Sequence, residues 1–250
     1  MGITDQTSQS SLFIGILPKM GTHCIPPQGE MYFYWMNILL IGSTGLVGSE
    51  VLKLLSSVDR IAQVICPVRK MRHHEEYCAK AAFCEVSLAD VDLWYPLTPM
   101  DAIICTLGTT IKAAGSQEEF RKIDLELVLS IAKIAQQKGV PRMLVVSAMG
   151  ANTHSKVFYN RVKGELEAEL QALTFPFLTI VRPSLLLGHR DKFRPGEWLA
   201  QKLMGPLRKH IPAKWRPVTA QEVALSLVTQ IFRTEPGHQI LENSAILRAS

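Results

Sequence analysis

The 250-residue chain carries 27 Lys+Arg against 22 Asp+Glu, a formal charge of +5, and is 47% hydrophobic. That size and apolar content suit one α/β core rather than two large domains, and the mildly basic balance suits phosphate-bearing ligands but falls short of a nucleic-acid footprint. The scattered cysteines Cys24, Cys66, Cys78, Cys84 and Cys105 include no CxxC pair, which argues against a disulfide framework or zinc ribbon and predicts a reducing, cytoplasmic setting.

Residues 1–35 run from a polar stretch, Thr4–Ser11, through the short apolar patch Leu12–Leu17 to a segment punctuated by Pro18, Gly21, Pro26, Pro27 and Gly29. The patch is too short to cross a membrane and lacks the basic start of a signal peptide. Gln6 stands where a myristoylation signal requires Ser or Thr. A disordered N-terminal extension over 1–35 is therefore expected, with the fold beginning at Met36 and no transmembrane segment.

The first predicted strand, Ile38–Ile41, leads into Gly42-Ser43-Thr44-Gly45-Leu46-Val47-Gly48, after which Val47, Val51, Leu54 and Leu55 recur at helical spacing. Strand, glycine turn and helix start together form the place where a dinucleotide pyrophosphate is held. One glycine permits the sharp turn, one lets backbone N–H groups approach phosphate, and one lets helix and strand pack closely. The spacing is GxxGxxG rather than GxGxxG, so the motif gains its weight from its flanks. A second strand, Gln63–Val68, ends at Arg69-Lys70, where an NAD-selective protein would present an acidic residue. A guanidinium there suits a 2′-phosphate, so Arg69 predicts NADP(H). His73, His74, Glu75, Glu76 and Cys78 follow at a spacing that matches no metal motif.

Further strands are expected at Ala82–Glu85, Ala102–Leu107, Met143–Ser147 and Phe177–Val181. Ser116 and Glu119 form a capping box opening a helix with Phe120, Ile123, Leu127, Ile131 and Ile134 on its core face, closed by Gly139-Val140-Pro141. Thr219 and Glu222 open another through Val223, Leu227 and Ile231. Alternating strands and helices predict an α/β doubly wound parallel-sheet Rossmann fold in a single domain over 36–250, with a small C-terminal substrate-side region around 184–218. Gly188–Arg216 is rich in Lys and Arg, a solvated surface or a docking face for an acidic partner or substrate; Trp198 and Trp215 are read as packing residues.

Tyr159 and Lys163 lie four apart on a segment whose Phe158, Val162, Leu166 and Leu170 form a buried stripe, so both project from one adjacent face. A nearby ammonium lowers a phenol's pKa from about 10, which would make Tyr159 a usable general acid or base. Ser147 ends a strand at the carboxyl edge of the sheet, where it could hydrogen-bond a substrate carbonyl.

With these residues in hand, the chain resembles the short-chain dehydrogenase/reductase family, and more closely its atypical branch of Tat-interactive-protein-type oxidoreductases. The likeness covers about Asn37 to Ala249. Besides the glycine turn, it rests on Cys105-Thr106-Leu107-Gly108-Thr109-Thr110, Ser147-Ala148-Met149-Gly150-Ala151, Tyr159 with Lys163, Arg182-Pro183, and Arg194-Pro195-Gly196-Glu197-Trp198-Leu199. It implies a Rossmann fold binding NADP(H) and a catalytic set of Ser147, Tyr159 and Lys163. It also implies that Leu107, Gly108 and Thr109 lie along the cofactor and that Arg182, Pro183 and Leu185 lie near the nicotinamide. The family's catalytic Asn, in the helix after the fourth strand, is replaced here by Asp124. Two function classes stand: an NADP(H)-dependent oxidoreductase acting on a small carbonyl or alcohol, or a non-catalytic NADP(H)-binding regulator of a protein partner.

Overall fold

The computed structural model describes residues 35–71, 79–187 and 211–249. The expected N-terminal extension up to residue 34, the His73–Cys78 cluster and the basic stretch over 188–210, Trp198 included, lie outside the described residues.

Short apolar runs buried on both faces become the strands of a parallel sheet, because only strands covered by helices on each side can be apolar at every position. They are β1 (Met36–Ile41), β2 (Ile61–Val68), β4 (Ala102–Cys105), β5 (Arg142–Val146) and β6 (Phe177–Arg182), with the half-buried β3 (Ala81–Glu85) at the edge beside β2. A two-stranded parallel sheet joins β7 (Leu186–Leu187) to β8 (Val218–Thr219), and β9 (Gly237–Glu242) completes the main sheet. The main sheet has seven strands in the order β3-β2-β1-β4-β5-β6-β9, each pair parallel. This is a Rossmann-like single domain, whose strand order reverses between β1 and β4.

Alternation along the strands divides the core. Leu39, Ile41, Ile103, Cys105, Met143 and Val145 pack on one face, while Ile38, Leu40, Ile104 and Leu144 pack on the other. The second face receives helix α1 (Leu46–Ser56) through Val47, Val51 and Leu55.

The helix opened by Ser116 departs from expectation. It runs as α4 (Gln117–Arg121), a π-helical turn at Lys122–Glu126 and α5 (Leu127–Gln137), preceded by the short α2 (Val91–Trp94) and α3 (Ile111–Ala114). Ser116 caps the Glu119 N–H as predicted. The π turn adds a residue, so the buried face passes from Phe120 to Asp124, Leu125, Val128, Ile131, Ala132 and Ala135, leaving Ile123, Leu127 and Ile134 half-buried.

Helix α6 (Phe158–Ala172) buries Val162, Leu166 and Leu170 as its spacing predicts. Helix α7 (Ala220–Ile231) opens on the complete Thr219–Glu222 capping box, and α8 (Asn243–Ile246) follows β9. Among the described residues no helix is long and apolar enough to cross a membrane.

Candidate active site

The glycine turn sits where the strand order reverses, at the carboxyl end of β1. Gly42 has φ +82°, a backbone conformation that a Cβ strongly disfavours, and its carbonyl accepts the Gly45 N–H at 2.9 Å. Gly48 lets α1 lie directly on this turn, since a Cβ there would stand 2.1 Å from the Gly42 oxygen. Thr44 and Gly45 are exposed at the crest, and Gly45 begins α1 with no side-chain cap. The first N–H groups of α1 are therefore available to an anion. Ser43 is buried, yet its hydroxyl has no hydrogen-bond partner among the described residues. An unmet hydroxyl beside uncapped N–H groups, with a glycine at the helix start, fits a dinucleotide pyrophosphate.

The end of β4 is tied to this turn. Thr106 donates its hydroxyl to the carbonyls of Ile41 at 2.9 Å and Gly42 at 3.2 Å. Leu107, Gly108 and Thr109 continue outward, and the Thr109 N–H donates to Asp124 Oδ2 at 2.9 Å. Asp124, fully buried on the π turn, places Oδ1 2.7 Å from Lys163 Nζ. Tyr159, one turn before Lys163, packs its ring on Phe120 with centroids 5.3 Å apart. The loop beneath this part of α6 approaches closely, because Gly164 has no Cβ to meet Asn152 and Thr153.

The electrostatics differ from the expected lowering of the Tyr159 pKa. Burial raises it, and Asp124 adds to the rise; the Lys163 ammonium opposes both and is outweighed. Burial alone would lower Lys163, but Asp124 and Tyr159 favour its charged form and hold it above its ordinary value.

Ser147 is placed elsewhere. Its buried hydroxyl donates to Glu167 Oε1, on α6 one turn beyond Lys163. Glu167 is gripped by Arg182, whose Nε lies 3.0 Å from Oε1, and Arg182 reaches Glu242 at 2.8 Å. Lys163, one turn beyond Tyr159, is thus joined through Asp124 to Thr109, just past β4, whereas Ser147 and Arg182 form a second network, centred on Glu167. Asp124 as the partner of Lys163, and Glu167 as the partner of Ser147, were not read from the sequence. The i+4 step from Lys163 to Glu167 was the available signal for the second.

The profile of a protein family described as NAD(P)H-binding matches residues 42–203. The chain belongs to this NAD(P)H-binding family. Protein HTATIP2 of Rattus norvegicus is 31% identical over 84% of this chain and 88% of its own length. Protein fmp52, mitochondrial, of Emericella nidulans is 35% identical over 69% of this chain and 76% of its own. Together they place it as an atypical short-chain dehydrogenase/reductase-like member. Among solved structures, the fold resembles the Thermotoga maritima UDP-glucose 4-epimerase, with TM-score 0.63, 16% identity, 83% of this chain and 77% of that one. It likewise resembles the Bordetella bronchiseptica enzyme WbmG in complex with NAD, with TM-score 0.63, 15% identity, 88% of this chain and 75% of that one.

Several relatives are named as mitochondrial, which overturns the cytoplasmic expectation. The physical reason is simple: free Cys66, Cys84 and Cys105 speak to redox state, and a reducing setting is not peculiar to the cytoplasm.

In this NAD(P)H-binding chain, Arg69 and Lys70 are exposed just past β2. An acidic residue does come close, from the neighbouring strand: Glu85, in register with Val68, accepts the Met71 N–H at 2.8 Å. On the far side, Pro183 is buried and its carbonyl accepts the Met149 N–H at 2.9 Å, while Leu185 is exposed. Trp215, expected to pack, is 57% exposed, with Lys214 Nζ 5.3 Å from its ring centroid.

Proposed function

We propose that this chain is an NADP(H)-dependent oxidoreductase of the carbonyl reductase or alcohol dehydrogenase type, working on a small-molecule carbonyl or alcohol. The observation that carries the reading is the buried Tyr159–Lys163 pair, linked through Asp124 and the Thr109 N–H to the strand end beside the glycine turn. When bound, the cofactor supplies the hydride that reduces the carbonyl carbon. Tyr159 donates its phenolic proton to the carbonyl oxygen, completing the alcohol, and the Lys163 ammonium stabilises the phenolate left behind. Ser147 orients the carbonyl oxygen, for which its hydroxyl must turn away from Glu167.

Gly42, Ser43, Thr44, Gly45, Leu46, Val47 and Gly48 would hold the pyrophosphate. Arg69 would take the 2′-phosphate, and Leu107, Gly108 and Thr109 would line the nucleotide. Pro183 and Leu185 would flank the nicotinamide, anchored by Arg182 through its pairing with Glu167 and Glu242.

The test is Tyr159→Phe, assayed for NADPH consumption with a panel of aldehydes, ketones and quinones. Turnover should fall by about 10²–10⁴, the range for general acid–base catalysis, with NADPH affinity unchanged. Turnover that survives the substitution defeats the reading. A second reading, a cofactor-binding regulator of a protein partner, is favoured by one observation, the commitment of the Ser147 hydroxyl to Glu167. It predicts NADPH binding without turnover of any substrate and partner binding that changes with NADPH.

A further inference from the structure

A parallel sheet brings the starts of all its strands to one edge, here the edge opposite the glycine turn, and three arginines gather there. Arg142 opens β5 in register with Phe177, which opens β6, and its guanidinium lies over that ring, 3.8 Å from the centroid. Arg233, just past α7, shares the same ring at 5.6 Å. Arg60, just before β2, lies 5.2 Å from the ring centroid of Phe232, the neighbour of Arg233. Arg60 is exposed, and Arg142 and Arg233 are half-buried. The two rings hold the guanidiniums by their negative faces without neutralising them.

No carboxylate among the described residues comes within ion-pair distance of any of the three. Asp101, whose Oδ2 accepts the Asn37 N–H at 2.7 Å, attracts Arg142 from beyond that distance. Arg142 Nη1 donates to the Arg233 carbonyl at 2.8 Å, and Arg233 donates to the Gly237 carbonyl and to Gln239 Oε1. These acceptors satisfy N–H groups but leave the charges in place. The C-terminal end of α7 offsets about half an elementary charge, so three guanidiniums against one carboxylate and that half leave an excess of about one and a half. Burial, followed by repulsion from Arg233 and Arg60, weakens the hold of Arg142 on its proton. Two buried polar atoms of the same stretch lack partners among the described residues: Arg233 Nε, a donor, and Gln230 Oε1, an acceptor on the last turn of α7.

We propose that Arg60, Arg142 and Arg233 form a binding site for a phosphate monoester group, carried by a small soluble molecule or by a lipid headgroup. Such a group bears a charge of about −1.5 to −2 at neutral pH, which matches the local excess, whereas a carboxylate bears only one. Its tetrahedral oxygens accept from more than one guanidinium at once, and bidentately from an open fork. Among the described residues Arg60 commits none of its guanidinium N–H groups to a hydrogen bond and Arg142 commits one, so both forks have donors to offer. A hydrogen phosphate also carries what each unmet atom lacks, an acceptor for Arg233 Nε and a donor for Gln230 Oε1. The site lies across the sheet from the glycine turn. It is therefore separate from the place of a dinucleotide pyrophosphate and does not rest on the oxidoreductase reading.

The experiment titrates the full chain, ¹⁵N-labelled at arginine, with inorganic phosphate at constant ionic strength, and reads the Nε–H resonances, which report each arginine separately from any phosphate at the glycine turn. Those of Arg60 and Arg142 should shift saturably. With phosphate at ten times the dissociation constant, the melting temperature should rise by about 3–6 °C. Arg142→Gln should weaken binding about tenfold, as loss of a charge-assisted bond does, and the exposed Arg60→Gln about threefold. Both should leave NADPH affinity unchanged. Glycerol 3-phosphate and vesicles containing phosphatidic acid separate the two sources. Saturable shifts with the first and no sedimentation on the second assign a soluble phosphomonoester, while sedimentation that Arg60→Gln reduces assigns the lipid headgroup; either result supports the site. Wild-type arginine resonances that do not saturate, or that respond as strongly to acetate, overturn the proposal without need of a variant. Phosphate binding that survives both substitutions overturns it as well.

Discussion

Replacing Gly48 by alanine tests the architecture of the cofactor turn. The new methyl would stand 2.1 Å from the Gly42 carbonyl oxygen, 2.7 Å from its carbonyl carbon and 2.7 Å from Thr106 Oγ1. Two of the three are backbone atoms of a turn pinned by its own hydrogen bond to Gly45 and by the Thr106 hydroxyl, so no rotamer change relieves the clash. Either α1 lifts from the sheet, exposing part of the Val47, Val51 and Leu55 contact, or the turn opens. Overpacking of this kind typically costs about 1–3 kcal/mol, and an immovable backbone neighbour places it at the top of that range. At about 2–4 °C per kcal/mol for a domain of this size, the melting temperature should fall by roughly 6–12 °C. Gly45→Ala is the control, because its methyl would meet only the Gly42 oxygen, at 3.1 Å. It should melt within a few degrees of wild type yet bind NADPH more weakly, since the methyl would intrude at the exposed crest. Thermal melts with NADPH titrations by fluorescence separate the two. A Gly48→Ala protein that melts like wild type and binds NADPH normally would refute this reasoning.

Ser147→Ala removes a buried hydrogen bond to a carboxylate, so stability should drop by about 1.5–3 kcal/mol in urea unfolding; a neutral result would mean that Glu167 does not depend on the serine. Replacing Arg69 by Asp should erase a several-fold preference for NADPH over NADH in calorimetry, and equal binding of the two by wild type would show that Glu85 rather than Arg69 governs this end of the site. Burial pushes the Cys105 thiol up to about 11 from an ordinary value of 9.0, so the folded chain holds that proton more tightly than the unfolded one. The associated stability is complete below about pH 9 and is lost as pH rises toward 11, by roughly 2–3 kcal/mol. Urea midpoints at about pH 8 and 10.5 should show the fall, and Cys105→Ala should flatten it.

The main sheet was legible because parallel strands covered on both faces must be apolar throughout, as Ile38–Ile41 and Met143–Val145 are. β9 was not, for the same physical reason. It is an edge strand of sequence Gly237-His238-Gln239-Ile240-Leu241-Glu242, of which only Leu241 is buried, and such a segment reads as a loop. The expected strand at Ala102–Leu107 stops at Cys105, where Thr106 turns its hydroxyl onto the β1 end. The π turn left no periodicity signal, since Phe120, Ile123, Leu127, Ile131 and Ile134 already fit an unbroken α-helix. The added residue shows only in which side chains are buried.

The site divides along the same line. The glycine turn and the four-residue step from Tyr159 to Lys163 are local, and local spacing reveals them. What these groups can do depends on partners distant in sequence: Asp124 for Lys163, and Glu167, itself held by Arg182, for Ser147. The expectation that Lys163 would lower the Tyr159 pKa treated the pair in isolation. In the folded chain the desolvation of the phenol outweighs the ammonium, Asp124 adds to the rise, and the direction reverses. The same ion pair links α6 to the segment just past β4 through the Thr109 N–H, so movement of Leu107–Thr109 if a nucleotide enters there would act directly on the carboxylate paired with Lys163. Cofactor binding and the proton affinity of Tyr159 are therefore expected to be coupled in this chain, through one residue that neither motif contains.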